Sequence, residues 1–559
     1  MSSLIQKQLD EVDQLIIFGK YSDAMDLLKK ISNKNLPQKN VVICNLYKIT
    51  ILNAMGNYQE VLDLSDEILN NLKNKKTSIT KIDILLKKTL ALAYLKKREE
   101  VNNSIKVIEA NLKELQNIST KDKNRIQASI FRLKLFTISS RVEPKKYLKF
   151  AQNCNKFALK SKDSLLINFS LTVLAHAHYR LNEKDKCFDL INEAYQHAIS
   201  IEYKQGQEDS LWGLSYYEIN REKSLDYAEK AIALHEKIDS KRSSYGRYVY
   251  LGCKYVHNCF FEKALISLNK AEKLLMEDDE EKYSLYFVYA RLFNLKGEFN
   301  LAYENILRAQ KIAKESNRMM FVQSHYDLLL LALELEKFDL AEKHQEELRD
   351  FSKELDDDEI NQLSLLASAL ILKTNKGIRE WTKAIVILEE LLENEALSTS
   401  IFIDTTLNLC ELLIREIEMT GDVGILDSIQ THLTQLQNIA ENQKIHWLLI
   451  EILRLKSQIA LLVFDIIKAR ELLEAALRVS QKKRIEKLTI EIINEQIEIE
   501  EKITILEKLQ ELDAPLIETL KHVHLLNNIV EINQKTATVK TCSGEKNTIE
   551  YRKLFELKI

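Results

Sequence analysis

The chain has 559 residues, 80 Lys and Arg against 83 Asp and Glu, and a formal net charge of -3. That balance gives no reason to expect nucleic acid or an anionic membrane as the main partner. Only 11 Gly and 3 Pro occur beside 45% apolar residues, which excludes a loop-rich or disordered chain and favours packed helix.

The chain opens with a predicted helix over residues 4–17, and Gly19-Lys20-Tyr21 turns it into a second helix carrying Ala24, Leu28 and Ile31. Gly56-Asn57-Tyr58 makes the same turn, followed by Val61, Ser65 and Ile68. A third pair has Leu85, Ala91 and Tyr94, then Val101, Ile105 and Ile108. The fourth has Phe131 and Leu135, a break before Pro144, then Ala151 and Cys154. Pro144 suits the first turn of a helix, where no amide hydrogen bond is lost. Next, Leu171, Leu174, Ala175 and His178 precede Asn182, with Cys187, Ile191 and Ala194 beyond it, and Asn220 precedes Ser224, Ala228 and Ala231.

The clearest unit reads YVYLGCKYVHNCFFEKALISLNKA from Tyr248 to Ala271, and Tyr286 to Ala309 repeats its register. Phe338 and Ala341, then Trp381 and Ala384, mark further copies. Gly421-Asp422 with Leu426 is a looser one, and Ala469, Leu473 and Ala476 close the series. The equivalent positions fall near 24, 61, 101, 147, 187, 224, 264, 302, 341, 384, 426 and 469, a spacing of 37 to 46 residues. That spacing lies within the window of helical solenoids. About twelve hairpins result, each with an apolar face that only a stacked neighbour can bury.

These residues resemble the tetratricopeptide repeat (TPR) family, whose pattern sets an aromatic, Leu-Gly, Tyr, then Ala, Phe or Tyr, and Ala across two helices. Tyr248, Leu251-Gly252, Tyr255, Phe261, Ala264, Leu268 and Ala271 carry the match most closely. The resemblance covers about 1–480 in register and is strong over about 165–350. The spacing exceeds the family's ~34 residues, as in the long-helix units of kinesin light chain and some bacterial sensors, and the Pro that often ends each repeat is absent. Armadillo or HEAT-type repeats remain the alternative, against which the aligned Gly-x-Tyr/Phe turns weigh. The resemblance implies an all-α, right-handed α-solenoid of TPR-like hairpins.

Three segments are expected: a repeat array over 1–482, capping helices over 483–529 and a tail over 530–559. The cap reads as one long helix over 483–512, ending at Asp513-Ala514-Pro515, then a shorter one over 516–527. A terminal cap is what a solenoid requires, and the Ala-Pro-Leu step is similar to the close of a group of archaeal TPR proteins. The tail has strand formers Thr536, Thr538, Val539, Ile549 and Tyr551 around a Ser543-Gly544 turn. It reads either as a short β-hairpin or as a mobile tail, since an isolated hairpin is marginal in water.

Seven cysteines without CxxC spacing argue against a disulfide framework and a zinc site. With Lys7, Asp10, Glu11 and Asp13 where an export signal needs an apolar core, they point to the cytoplasm. No nucleotide, zinc-protease or serine-hydrolase motif occurs. His176 and His178, like His522 and His524, are two apart, and on a helix such pairs diverge too far to grip one ion. No metal or cofactor is expected. Asp356 to Asp358 and Asp278 to Glu281 read as solvated helix starts.

In TPR arrays the first helix of each hairpin lines the concave face. The register then aims His176, Tyr179, Arg180, Trp212, Tyr216, Tyr217, His257, Phe287, Arg291, Asn294 and Tyr326 inward. Aromatics and Arg are the residue types that anchor interfaces. Trp212 and Tyr216, four apart, share a helix face, and Arg291 is expected beside them as a cationic anchor. The expected function is a non-enzymatic scaffold that binds a peptide or protein partner in this groove. A regulator whose superhelix changes pitch on binding a ligand is the rival. Lys, Asn and Arg set to clamp a peptide C-terminus, as in some chaperone-binding members, are not found.

Overall fold

A computed structural model describes residues 2–511 apart from positions 34–35, 73–76, 117, 241–243, 276–281, 356, 376, 395–396, 421–422 and 464, which lie in the connections. The helix expected over 516–527 and the tail from Val530 lie outside the described residues. Among the described residues the structure is wholly helical, and no helix is long and apolar enough to cross a membrane.

Two compact units form, Met1–Tyr255 with Glu262–Glu277, and Val256–Phe261 with Asp278–Ile559. The first is built on α1 (Ser2–Ile17), α2 (Tyr21–Ser32), α3 (Gln38–Met55), α4 (Tyr58–Asn71), α5 (Ile79–Tyr94), α6 (Arg98–Glu114) and α7 (Thr120–Leu135). It continues through α8 (Pro144–Ser161), α9 (Ser164–Arg180), α10 (Lys184–Ser200), α11 (Lys204–Tyr217), α12 (Arg221–His235), α13 (Ser244–His257) and α14 (Phe261–Glu272). The second carries α15 (Lys282–Leu295), α16 (Phe299–Ser316), α17 (Arg318–Glu334), α18 (Phe338–Glu354), α19 (Asp358–Thr374) and α20 (Ile378–Leu392). Then come α21 (Thr399–Thr420), α22 (Leu426–Gln443), α23 (His446–Leu462), α24 (Ile466–Lys483) and α25 (Glu486–Glu511).

Consecutive helices pack as hairpins, and two runs of odd-numbered helices also touch in succession: α3, α5, α7, α9 and α11 in the first unit, α17, α19, α21, α23 and α25 in the second. The odd helices therefore make one layer and the even helices the other. This is an α-solenoid of TPR-like hairpins.

The small residues set how closely the layers meet. Ala24, Leu28 and Ile31 of α2 are buried, as are Cys187, Ile191 and Ala194 of α10 and Ala264, Leu268 and Ala271 of α14. Where α11 and α12 meet, Ser stands in place of Ala and the facing backbone satisfies its hydroxyl. Ser215 Oγ donates to the carbonyl of Ser224 at 2.7 Å and Ser224 Oγ returns a bond to the carbonyl of Ser215 at 2.5 Å. Pro144 opens α8 at its first turn, and Asp357 caps α19 by accepting from the amides of Glu359 and Ile360.

Two expectations shift. The looser hairpin keyed to Leu426 buries Ile429, Leu433 and Leu436 instead, because a 3₁₀ turn over Val423–Ile425 delays the helix to Leu426. The long helix expected from 483 starts at Glu486, since Arg484 takes a left-handed conformation (φ 55°) that ends α24.

In each unit a later segment returns to an early one. In the first, the segment after α12 returns to the α1–α2 turn: the Asp239 amide donates to the Gly19 carbonyl at 3.0 Å, and the Asp239 carboxylate accepts from the Ser22 amide at 2.8 Å. Ser240 Oγ donates to the carbonyl of Ala54 at 2.7 Å. Ile238 joins the core of Val12, Tyr21 and Leu28. In the second unit α25 comes back to α15. There Lys487 pairs with Glu334 and sits 5.4 Å over the Phe299 ring.

Candidate peptide-binding site

The odd-helix layer of the first unit gathers six of the residues singled out by the register, on α9 and α11. On α11 the helical repeat puts Trp212 and Tyr216 on one face. Gly213 lets the helix press on α10, for a Cβ there would lie 2.6 Å from Ile191 Cδ1. Trp212, Gly213, Tyr216, Tyr217, His176, Gly246, Arg247 and Tyr250 enclose a recess of about 350 Å³. Its rings meet at angles. Tyr179 lies 5.5 Å from Tyr216 and 4.9 Å from Tyr217, Tyr216 is edge-on to Tyr217 at 5.4 Å, and Trp212 is edge-on to Tyr250 at 5.4 Å. Tyr216 is 45% exposed, while Trp212 is half-buried against α10, α12 and α13 side chains.

His176 is held on three sides. Arg180 Nε donates to His176 Nε2 at 3.3 Å, Ser140 Oγ lies 3.1 Å from the same nitrogen, and Nδ1 lies 3.2 Å from the Tyr217 hydroxyl. With Nε2 accepting from Arg180, Nδ1 carries the proton toward Tyr217. Burial, with the Arg180 charge adding to it, lowers the pKa of His176 to about 4. Neutral His176 therefore belongs to the folded state, and the unfolded chain takes up its proton first as pH falls below about 6.5. The expected result is a loss of about 1–2 kcal/mol between pH 7 and pH 5 from this half-buried group. His176→Gln should remove that part of the pH dependence in urea melts at the two pH values, and an unchanged difference would show that the ring is not held neutral.

Beneath the recess lies an ionic network that the sequence reading missed. Glu208 is 0% exposed. It takes a close hydrogen bond from Arg247 Nε, lies 2.9 Å from His235 Nδ1, and accepts from Trp212 Nε1 at 3.2 Å and Gln205 Nε2 at 2.8 Å. Arg247 also reaches Asp209 at 3.0 Å. Burial pushes the Glu208 carboxyl up, but the His235 hydrogen bond and the Arg247 charge outweigh it and leave it below the ordinary range. The signal for this network was a Glu one turn before an inward-facing Trp, where a solvated charge would be out of place.

The remaining residues of the set are placed differently. His257 is half-buried at the end of α13. In the second unit Phe287 packs against Ala290, Ala302 and Ile306, and Asn294 is half-buried on the same helix. Tyr326, expected to face the groove, is 4% exposed and belongs to the core, its hydroxyl 3.4 Å from Asp404. Arg291 is exposed, but it is not an unopposed anchor. Asp327 and Asp404 feel its charge, and burial nevertheless raises both carboxyls to about 6.

No family model matches the chain, and no curated protein does. Solved structures of helical proteins do resemble it. A Rap protein complexed with competence and sporulation factor is 16% identical, over 66% of this chain and 99% of that one, with a TM-score of 0.45. Human IFIT1, as a dimer with m7Gppp-AAAA, is 15% identical over 83% of this chain and 94% of that one, at 0.42. Yeast Tom70 is 14% identical over 84% and 99%, at 0.36. At these scores the likeness carries no argument about function, and the fold rests on this chain's own helices.

Proposed function

We propose that the first unit binds a peptide segment of a protein partner in the recess on its inner face, by non-covalent recognition. The observation that carries this is a shelf of tyrosine rings, Tyr216 exposed and Tyr179 and Tyr217 half-buried behind it, beside Trp212 and backed by a buried network. Aromatic rings fixed in place lose little entropy on binding and offer large contact areas. Arg180, exposed at the edge of the shelf, supplies the cation that the sequence reading assigned to Arg291. Arg247 is already held by Glu208 and Asp209, so it shapes the wall and does not engage the ligand.

The test is selection of displayed peptides on the full chain, followed by titration of the enriched peptides against variants. Tyr216→Ala is the clean probe, because its ring is the most exposed of the shelf and its loss should leave the fold intact. Binding should weaken about tenfold or more, and Trp212→Ala should cost about 2 kcal/mol or more of binding together with some stability. Arg180→Ala should weaken acidic peptides in a salt-sensitive way. Selected peptides that bind all three variants at full affinity would remove the recess from consideration.

A further inference from the structure

A second cavity, of about 480 Å³, opens along the odd-helix layer of the first unit, lined from α3, α5, α7, α9 and α11. Its size is that of a small-molecule pocket. Much of its wall is apolar, from Tyr21, Leu86, Leu90 and Phe169. Its three lining cations, Lys87, Arg125 and Arg132, do not all pair with its three lining carboxylates, Asp83, Asp163 and Asp209. Asp83 is gripped by Arg125 in a two-pronged bond of 2.7 and 3.1 Å. Asp163 caps α9 by accepting from the Leu166 amide at 3.0 Å, and Asp209 is taken by Arg247. Every lining carboxylate is therefore engaged. Two lining cations are not: neither Lys87 nor Arg132 forms an ion pair among the described residues.

The surrounding polar groups also lack partners. The Arg132 guanidinium carbon stands over the Phe169 ring, 4.2 Å from its centroid, with its buried Nε unbonded. Asn53, 7% exposed, has a buried Oδ1 without a donor, and Gln205, 4% exposed, has a buried Oε1 without one. Both amides have a fixed orientation. Asn53 Nδ2 donates to the Lys87 carbonyl at 3.2 Å and Gln205 Nε2 donates to Glu208 at 2.8 Å, which leaves each oxygen free to accept. Burial holds the Lys87 ammonium below its ordinary range, with Asp83 opposing and Arg132 adding to the shift. Buried polar groups are ordinarily satisfied, and a cluster of unsatisfied ones in a cavity marks a place where something else supplies the bonds.

We infer that this cavity is a binding site for a small organic oxyanion, its carboxylate or phosphate held by Lys87 and Arg132, its apolar body on Phe169, and a hydroxyl or amino donor met by Asn53 and Gln205. The site is separate from the tyrosine recess and does not depend on the peptide reading. Arg132 is the planar fork suited to an oxyanion, and Lys87 the point charge that completes neutralisation.

The experiment is thermal unfolding and calorimetric titration of the full chain with four probes: 4-hydroxyphenylacetate, its neutral amide, phenyl phosphate and inorganic phosphate. A ligand that binds only the folded state raises the melting temperature with concentration. The expected result is a rise with at least one of the two organic anions, none with the neutral amide, and at least tenfold weaker binding in both Lys87→Met and Arg132→Met. The carboxylate and phosphate arms identify the headgroup. Ligand-free Lys87→Met should melt no lower than the parent chain, because it removes an unpaired cation; this separates a binding role from a structural one. No response to either organic anion, a response to inorganic phosphate alone as an adventitious ion, or responses that survive in both variants would overturn the proposal.

Discussion

Glu208→Ala should destabilise the first unit by about 3–5 kcal/mol, because it leaves Arg247 and His235 buried without their shared carboxylate. The carboxylate has no exposure to water and four groups converge on it. The penalty is that of stranding its partners, which exceeds the net worth of the intact pair. Glu208→Gln keeps hydrogen-bonding capacity but loses the charge, so its cost should be smaller. Arg247→Met added to Glu208→Ala should recover part of the loss, since the stranded cation is then gone. Urea melts of the four proteins measure this. A double variant no more stable than Glu208→Ala would show that Arg247 is not the stranded partner. The carboxyl is held below its ordinary pKa. Its contribution is therefore present above about pH 4.5 and is lost as pH falls through the folded-state value.

Gly252→Leu should cost about 2–3 kcal/mol through overpacking between α13 and α14. A Cβ at Gly252 would stand 2.6 Å from Leu268 Cδ2 and 2.9 Å from Leu268 Cγ, with the Ala264 carbonyl 3.6 Å away. Leu268 is itself fully buried and cannot swing aside. Replacing it with Ala opens a cavity in the parent chain but makes room for the intruding side chain. The double variant Gly252→Leu with Leu268→Ala should thus be more stable than the sum of the two single losses implies. Simple additivity in the melting data would place the clash elsewhere.

The hairpins were legible because their cause is local. Ala264, Leu268 and Ala271 announce a close helix pair by size and spacing alone. The turns were legible only in part. Gly19, Gly56 and Gly297 take positive φ, as does Asn182, but Lys96, Cys259 and Glu336 adopt the same left-handed conformation at φ between 54 and 62°. In those hairpins packing on both sides imposes a conformation that the residue type does not advertise. The tyrosine shelf followed from helical spacing, whereas Tyr326 shared that spacing and is core, because periodicity sets direction and not the depth of the layer above it. Lys87 and Arg132 look in sequence like any solvated helix charge, and Glu208 is set apart only by the Trp one turn after it. Their meaning depends on partners far along the chain, such as Arg247, 39 residues from Glu208. The returns of Asp239 to Ser22 and of Lys487 to Glu334 span 217 and 153 residues and left no local mark.

The return of Ile238, Asp239 and Ser240 to the first hairpin changes how the first unit comes apart. In a linear stack each repeat leans only on its neighbours, the terminal repeats fray first, and melting runs inward from an end. A stack whose first hairpin is hydrogen-bonded to the segment after α12 has no free end at α1 and α2. α1 and α2 are held by α3 on one side and by the segment after α12 on the other. Loss of the first hairpin would uncover Ile238 and open Ala54 to water in one step. The N-terminal hairpin, which in an open array would be the most dispensable part, is here clamped to a segment 217 residues further along the chain.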